Sequence, residues 1–305
     1  DKHGLSHYAL VDYVLYYIAK NDTEKMSECI QILNEIIFFS TLPDRQTIYR
    51  SLSHYEYLLK NYDDAEDLIV QADKIYVNNR RHALILSQHG LIKMATGKLF
   101  EAHDLISQAR ELFEAENNFT RSFMCKINLT EILIAVGKYQ EAISAYQELL
   151  KLSQPFCISP IFITRIHLGI LYIYAYQQNF NSFFDLYNQL NEEDLLHLKR
   201  YSIFYALLVY GLYSTSQIDE CKRTIREYRN IKKGLIDQLI IEYHRLRALN
   251  KSNEEIETMF NKYFIRLERT KINHYQKTML KLFLKCIEST QNYPVLYKLS
   301  TYVLK

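Results

Sequence analysis

The chain has 305 residues and is poor in backbone breakers, with 7 Gly and 4 Pro. An average protein carries about 12% of the two together. That scarcity excludes a turn-rich β-sandwich and a nucleotide fold built on Gly-rich loops. Trp is absent. No apolar run reaches the roughly 18 residues that a membrane helix needs; the richest, Leu168 to Tyr176, is shorter and full of Tyr. The five cysteines (Cys29, Cys125, Cys157, Cys221, Cys286) are odd in number, widely spaced and never in a CxxC pair. They form neither a disulfide framework nor a zinc motif, which points to a reducing, cytoplasmic setting with thiols as small apolar fillers inside helices. No signal-peptide pattern is present, and the sequence starts at Asp1 without Met. The expectation is that an amino-terminal domain precedes it.

Catalytic signatures are missing as well. There is no HExxH, GxxxxGK[ST] or GxSxG, and no strand-anchored GxGxxG. His3 and His7 are four apart but lack a third metal ligand. His54, His82, His89, His103 and His167 are scattered. Glu192-Glu193-Asp194 reads as a solvated helix start. No enzyme activity, no metal and no cofactor are expected.

Charge is balanced overall, 37 Lys+Arg against 35 Asp+Glu, but not locally. Residues 1–150 hold 15 basic and 21 acidic residues, net −6; residues 151–305 hold 22 and 14, net +8. This split suggests antiparallel self-association as a homodimer, acidic half to basic half. The basic run Lys222 to Lys233 places Arg223, Arg226 and Arg229 at helical spacing, as a solvated face does. Hydrophobic residues make up 48% and Tyr alone numbers 26. Tyr offers a rigid contact surface with a polar tip.

The chain repeats itself. Gly97-Lys98-Leu99-Phe100-Glu101-Ala102 recurs as Gly137-Lys138-Tyr139-Gln140-Glu141-Ala142, and earlier stands Lys60-Asn61-Tyr62-Asp63-Asp64-Ala65. Apolar or small residues follow four and seven positions later: Ile69 and Ala72, Ile106 and Ala109, Tyr146 and Leu149. They share one helical face. Aligned on the Ala, the copies fall at Met26, Ala65, Ala102, Ala142, Phe183, Cys221, Ile256 and Leu296, at intervals of 39, 37, 40, 41, 38, 35 and 40. Breakers fall where loops are needed: Leu42-Pro43-Asp44, Asn78-Asn79, Asn117-Asn118, Gln154-Pro155 and Ser159-Pro160. The expected fold is all-α, about sixteen helices in about eight hairpins, forming a single repeat domain over 1–305. A hairpin cannot bury its apolar faces alone, so it stacks on its neighbours.

The pattern resembles the tetratricopeptide repeat. Gly90, Gly97, Ala102 and Ala109 match its hallmarks in one copy; Leu129, Gly137, Tyr139, Ala142 and Tyr146 match in the next. The periods are longer than in the family, and no Trp is present. The resemblance implies a right-handed superhelical solenoid with the first helix of each pair on the concave side. Six positions of that helix then point inward. They place Arg50, His54 and Tyr57 there from the second repeat, Ser87 and Gln88 from the third, and Asn128 and Glu131 from the fourth. The fifth adds Arg165, Tyr172 and Tyr176, and the sixth Tyr210 and Tyr213. Gln238, Glu242 and Arg245 follow from the seventh, Lys281 and Lys285 from the eighth. An extended peptide suits such a wall. Amides of Gln88 and Asn128 both donate and accept, arginines such as Arg50 and Arg165 grip carboxylates, and Tyr172, Tyr176 and Tyr210 hold apolar side chains. Asn128 stands at the centre as a clamp on the ligand backbone.

The near-complete array of long-period repeats, with its Ile/Lys/Asn/Tyr-rich composition, resembles the sensor domains of the Gram-positive peptide-quorum-sensing regulators, the Rap, Rgg, NprR, PlcR and PrgX group. The resemblance implies that a short signalling peptide binds the concave wall and shifts oligomer geometry. DNA binding, and so transcription regulation, would run through an amino-terminal helix-turn-helix domain. No stretch before Lys20 is long enough to be that domain. Two other readings stand beside this one: a repeat scaffold for protein–protein interaction without a ligand switch, and a Rap-type modulator of a response regulator.

Overall fold

In the computed structural model the described residues are 13, 16, 17, 23–153, 156, 158–228, 231, 234–288 and 293–304. Met26 lies outside the described side chains, and His3, His7, Gln154, Pro155, Cys157, Arg229, Lys232 and Lys233 lie outside the described residues. Two compact units divide the chain, Asp1–Leu129 and Thr130–Lys305. The division falls inside one helix.

The first unit contains α1 (Thr23–Ile36), a 3-10 turn (Ile37–Phe39), α2 (Leu42–Leu58), α3 (Tyr62–Asp73), α4 (Asn79–Ala95), α5 (Leu99–Ala115) and the start of α6 (Phe119–Ala135). The second holds the end of α6, then α7 (Tyr139–Ser153), α8 (Pro160–Tyr176), α9 (Phe180–Gln189), α10 (Glu192–Leu198), α11 (Ser202–Ser214) and α12 (Ile218–Glu227). It continues with α13 (Leu235–Ala248), α14 (Asn253–Glu268), α15 (His274–Ile287) and α16 (Tyr293–Leu304). No strand occurs among the described residues. The chain is all-α, an array of helical hairpins, as its repeats predict.

One turn defines the hairpin. Gly97 and Gly137 adopt φ of +81° and +83°, the left-handed conformation that costs glycine nothing. Gly97 N–H donates to Met94 O at 3.1 Å and Lys98 N–H to Lys93 O at 2.9 Å, the paired bonds that end a helix through a left-handed residue. The same pair recurs at Gly137 and Lys138. It recurs again with non-glycine residues in the left-handed position: Lys60, Gln178, Ser216 and Asn250. Five residues beyond this turn stand Ala65, Ala102, Ala142, Phe183 and Cys221, all fully buried. In the seventh repeat a Ser252–Glu255 capping box opens α14, and the buried Ile256 stands one position later. At the eighth, Val295 is buried and Leu296 half-buried, so that register is displaced by one residue.

Close approach explains the small residues. A Cβ on Gly90 would collide with the Ile106 side chain and crowd the Ala102 carbonyl, so α4 lies directly on α5. Lys93 spans the same hairpins. Its Nζ is 2.6 Å from carboxylates of both Glu66 on α3 and Glu101 on α5. Burial opposes its charge, but the two hydrogen-bonded carboxylates outweigh it and raise the pKa.

The helix α10 is an addition to the hairpin scheme. α9 is only ten residues long and stops where Leu190 turns extended. Asn191 then caps a new helix whose first turn is Glu192-Glu193-Asp194, the solvated start expected for that run. In the basic run, Arg223 and Arg226 are exposed on α12, also as expected. Cys29, Cys125 and Cys221 are buried fillers, whereas Cys286 is half-buried.

Candidate functional site

The residues expected on the first-helix wall fall into both units. In the first unit they stand on α2, α4 and α6. Gln88 is buried. Its Nε2 donates to Arg50 O at 2.9 Å and to Ser53 Oγ at 3.0 Å, while Ser53 Oγ donates to Ala65 O at 2.7 Å. This amide joins α2 to α4 and is not available to clamp a peptide, contrary to expectation. Asn128 is 1% exposed, so it too is part of the packed interior and not an open wall position. Ser87 faces Cys125, whose thiol it hydrogen-bonds; burial still pushes that thiol up to about 11.

Arg50 and His54 remain reachable, both half-buried on α2. The Arg50 pKa is lowered by desolvation, then by the charges of Arg121 and Arg81. His54 is lowered by desolvation and by Arg50, which leaves it neutral near pH 7. Its ring lies 6.3 Å from that of Tyr57 and nearly parallel to it. Arg81 Nη1 donates to Pro43 O at 2.6 Å and to Thr47 Oγ1 at 3.2 Å, which ties α4 to the start of α2. Arg81 and Arg121 were outside the inward positions, yet each stands three residues after an Asn that caps its own backbone N–H. That repeated Asn-x-x-Arg was a legible signal.

In the second unit Glu131 and Arg165 pair: Glu131 Oε1 accepts from Arg165 Nη2 at 2.8 Å and from Nε at 3.2 Å. Tyr146 lies buried beside them, and desolvation, then Glu131, hold its phenol well above the usual range. Tyr275, on α15, is exposed.

The expected aromatic floor exists but is covered. α8 touches α11, α11 touches α13, α13 touches α15, and α15 returns to α8. Tyr172 is buried and its hydroxyl donates to Thr278 O on α15 at 3.2 Å. Tyr210 is buried and hydrogen-bonds the Cys286 thiol, also on α15. Tyr176 is half-buried, 5.1 Å from the ring of Tyr139 and 6.0 Å from that of Tyr172. Lys285 Nζ stands 5.0 Å above the Tyr176 ring. Tyr172 and Tyr210 are therefore filled by the eighth repeat's first helix in this conformation, a correction to their placement on an open wall. Tyr210 and Tyr213 also flank the buried His244, at ring distances of 5.5 and 5.3 Å. Farther along, Glu242 and Arg245 satisfy each other at 2.6 and 2.8 Å, and Gln238 accepts from Arg266.

Elsewhere in this unit a cleft of about 710 Å³ opens between α9, α11 and α12. It is lined by Asp185 and Glu220 and by no cation. No cluster of metal-ligating side chains occurs among the described residues, and no described helix is long and apolar enough to cross a membrane.

No family profile matches the sequence, and no curated protein is similar to it in sequence. Similar solved structures span almost the whole chain. The apo form of the quorum sensor NprR from B. thuringiensis is 15% identical with a TM-score of 0.67, over 99% of this chain and 87% of that one. A Rap protein complexed with Competence and Sporulation Factor is 12% identical with a TM-score of 0.70, over 100% and 87%. The Rap conjugation gene regulator of plasmid pLS20, in complex with the Phr* peptide, is 12% identical with a TM-score of 0.67, over 97% and 93%. The chain has the TPR-like repeat fold that these regulators have.

Proposed function

We propose that the chain is a peptide-sensing regulatory domain of a bacterial transcriptional regulator. It binds a short signalling peptide on the wall formed by its first helices and changes oligomer geometry in response. The reading rests on one observation above others: the fold likeness covers 97% and 99% of this chain against two regulators solved with peptides bound, rather than a few repeats. The open part of the wall, Arg50 and His54 with their neighbours, supports it as the reachable portion. Asn128, Gln88, Tyr172 and Tyr210 belong to the proposed site only if the wall opens on binding. Glu131, Arg165 and Tyr176 stand half-buried at its surface. The array acts as one repeat domain in the cytoplasm, and DNA is engaged only through a separate domain.

Affinity selection from a synthetic library of short peptides tests the reading. Retention of a defined subset, displaced by its own excess, is the expected result; retention of none removes the peptide reading. Sedimentation at low and high salt tests the homodimer. A monomer at micromolar concentration in both removes pairing through the −6 and +8 halves of the sequence.

A further inference from the structure

The second helices of repeats five and six, α9 and α12, are short. Each has ten residues, where α5 and α7 have 17 and 15. α9 packs on α8 and α12 on α11, each on its own hairpin partner. Between the two short helices opens the cleft of about 710 Å³, a size typical of small-ligand sites. Leu208 and Leu212 of α11 form its apolar side. None of the inward first-helix positions lines it, so it is distinct from the peptide wall.

Two stripes of α9 border the cleft. Phe180, Phe184 and Tyr187 recur at helical spacing, and so do their neighbours Asn181, Asp185 and Asn188. The three rings are half-buried and held by other rings. Phe180 stands edge-on to Tyr210 at 5.3 Å, Phe184 edge-on to Tyr187 at 6.4 Å, and Tyr187 stacks with Phe204 at 6.2 Å. Across the cleft stand Glu220 and Gln217. Gln217 Nε2 already donates to Thr215 Oγ1 at 2.9 Å, so its amide oxygen is what it has left to offer. No Lys, Arg or His lines the cleft, although residues 151–305 carry net +8. Glu220 meets Arg223 Nη1 at 3.0 Å, an exposed pair on one helix that is cheaply exchanged. Asp185 meets neither a cation nor a hydrogen-bond donor among the described residues. Asp219 also stands alone, but on open helix surface, whereas Asp185 has aromatic walls beside it. Desolvation, then Glu220 and Glu227, raise the Tyr187 phenol, so carboxylate charge reaches the rings. A smaller cleft of about 370 Å³ between α14, α15 and α16 is balanced by contrast: Lys298 Nζ is 3.5 Å from Glu268 Oε1, which also accepts from Tyr302.

We propose that the cleft between α9, α11 and α12 binds a guanidinium group carried on an apolar stem. The planar cation stacks against Phe184 and Tyr187. Its N–H groups donate to the Asp185 carboxylate and to the amide oxygens of Asn181, Asn188 and Gln217. The stem lies along Leu208 and Leu212. An ammonium is a compact, strongly hydrated charge, which gains less from a flat ring and from acceptors spread around it. A free alkylguanidine and an arginine side chain of another protein present the same group. The inference does not rest on the peptide reading and goes beyond it.

The test uses the full chain and saturation-transfer NMR titrations that observe the ligand. The probes are n-butylguanidinium, n-butylammonium, the neutral isostere n-butylurea and the capped tripeptide acetyl-Gly-Arg-Gly-amide. Each is titrated into the parent, Asp185→Asn, Glu220→Gln and the control Asp219→Asn, which lies outside the cleft lining. The expected Kd for butylguanidinium is about 1 mM or tighter, with butylurea about tenfold or more weaker and butylammonium about threefold weaker. Asp185→Asn weakens butylguanidinium about tenfold, Glu220→Gln weakens it less, and Asp219→Asn leaves it unchanged. Asp185 is exposed, so its variant folds, and thermal melting checks that it does. Butylurea binding as tightly as butylguanidinium overturns the need for charge. Butylammonium binding as tightly overturns the guanidinium assignment. Unchanged affinity in Asp185→Asn overturns the placement in this cleft, and no binding of either guanidinium probe overturns the site. Tripeptide binding is scored only as the part that Asp185→Asn removes. A tripeptide about tenfold tighter than butylguanidinium assigns the cleft to an arginine of a partner protein; a free probe as tight or tighter assigns it to a small alkylguanidine.

Discussion

The two units treat the inward positions of their own first helices differently. In the second, Arg165 and Arg245 have carboxylates, Lys285 lies over Tyr176, and α15 returns to α8 and covers Tyr172 and Tyr210. In the first, Gln88 and Asn128 are packed inside, while Arg50 and His54 on α2 stay within reach of solvent. Both units use one hairpin turn and one small-residue contact. The difference teaches that the repeat specifies the scaffold, while residues outside its hallmarks decide whether a wall is sealed or left open.

The largest effect should be the one the units share. Ala102 in the first and Ala142 in the second are both fully buried five residues past the turn. Arg at either position adds volume and a charge with no partner, and should cost about 3–5 kcal/mol in chemical denaturation. A variant that unfolds like the parent would separate the two units at their common contact.

Acid should act on the second unit through His244. It is buried, its Nδ1 bonds Ile240 O at 2.8 Å, and desolvation pushes its pKa down to about 4. Unfolded, the same group titrates near 6.5. Between these values the unfolded chain binds the extra proton. This contribution to stability is therefore complete above about pH 6.5 and is lost as pH falls toward 4, by about 3 kcal/mol. In His244→Phe the slope of stability with pH should flatten across that window; an unchanged slope would place the acid sensitivity elsewhere.

Asn128 is next. Because it is buried, Asn128→Ala should destabilise by about 1–3 kcal/mol, measured by denaturant unfolding. A change below about 0.5 kcal/mol would return it to the class of open wall residues. The smallest effect belongs to Arg121. It is exposed and faces like charge, so Arg121→Gln should shift stability by no more than about 0.5 kcal/mol, and toward greater stability, in a thermal melt. A clear loss would mean that the Arg121 side chain makes a stabilising contact.

Some of this was readable before any coordinates. Gly97 and Gly137 announce a left-handed turn because only glycine takes it freely, and Ala102 and Ala142 announce close helices because nothing larger fits. Phe183 and Cys221 occupy the same buried station without looking alike, and only the interval of the repeat reveals them. Lys60, Gln178, Ser216 and Asn250 make the glycine turn with side chains present, so residue type conceals them. The helix α10 was hidden inside a normal interval, because the shortened α9 frees the residues it uses.

The candidate site was legible only in part, for a related reason. Inward register identifies which face of a helix a residue occupies, and that face is a local property of period and phase. The sequence alone determined the all-α repeat, the hairpin turns, the small-residue contacts and the positions of Arg50, His54, Glu131 and Arg165 on first helices. Only tertiary structure decided that Gln88 bonds the Arg50 carbonyl, that α15 covers Tyr172 and Tyr210, and that Arg81 ties α4 to Pro43 and Thr47. Those contacts link residues 34 to 106 positions apart, where the slight rotation of each repeat on the next sets what meets what, and no local pattern encodes that sum.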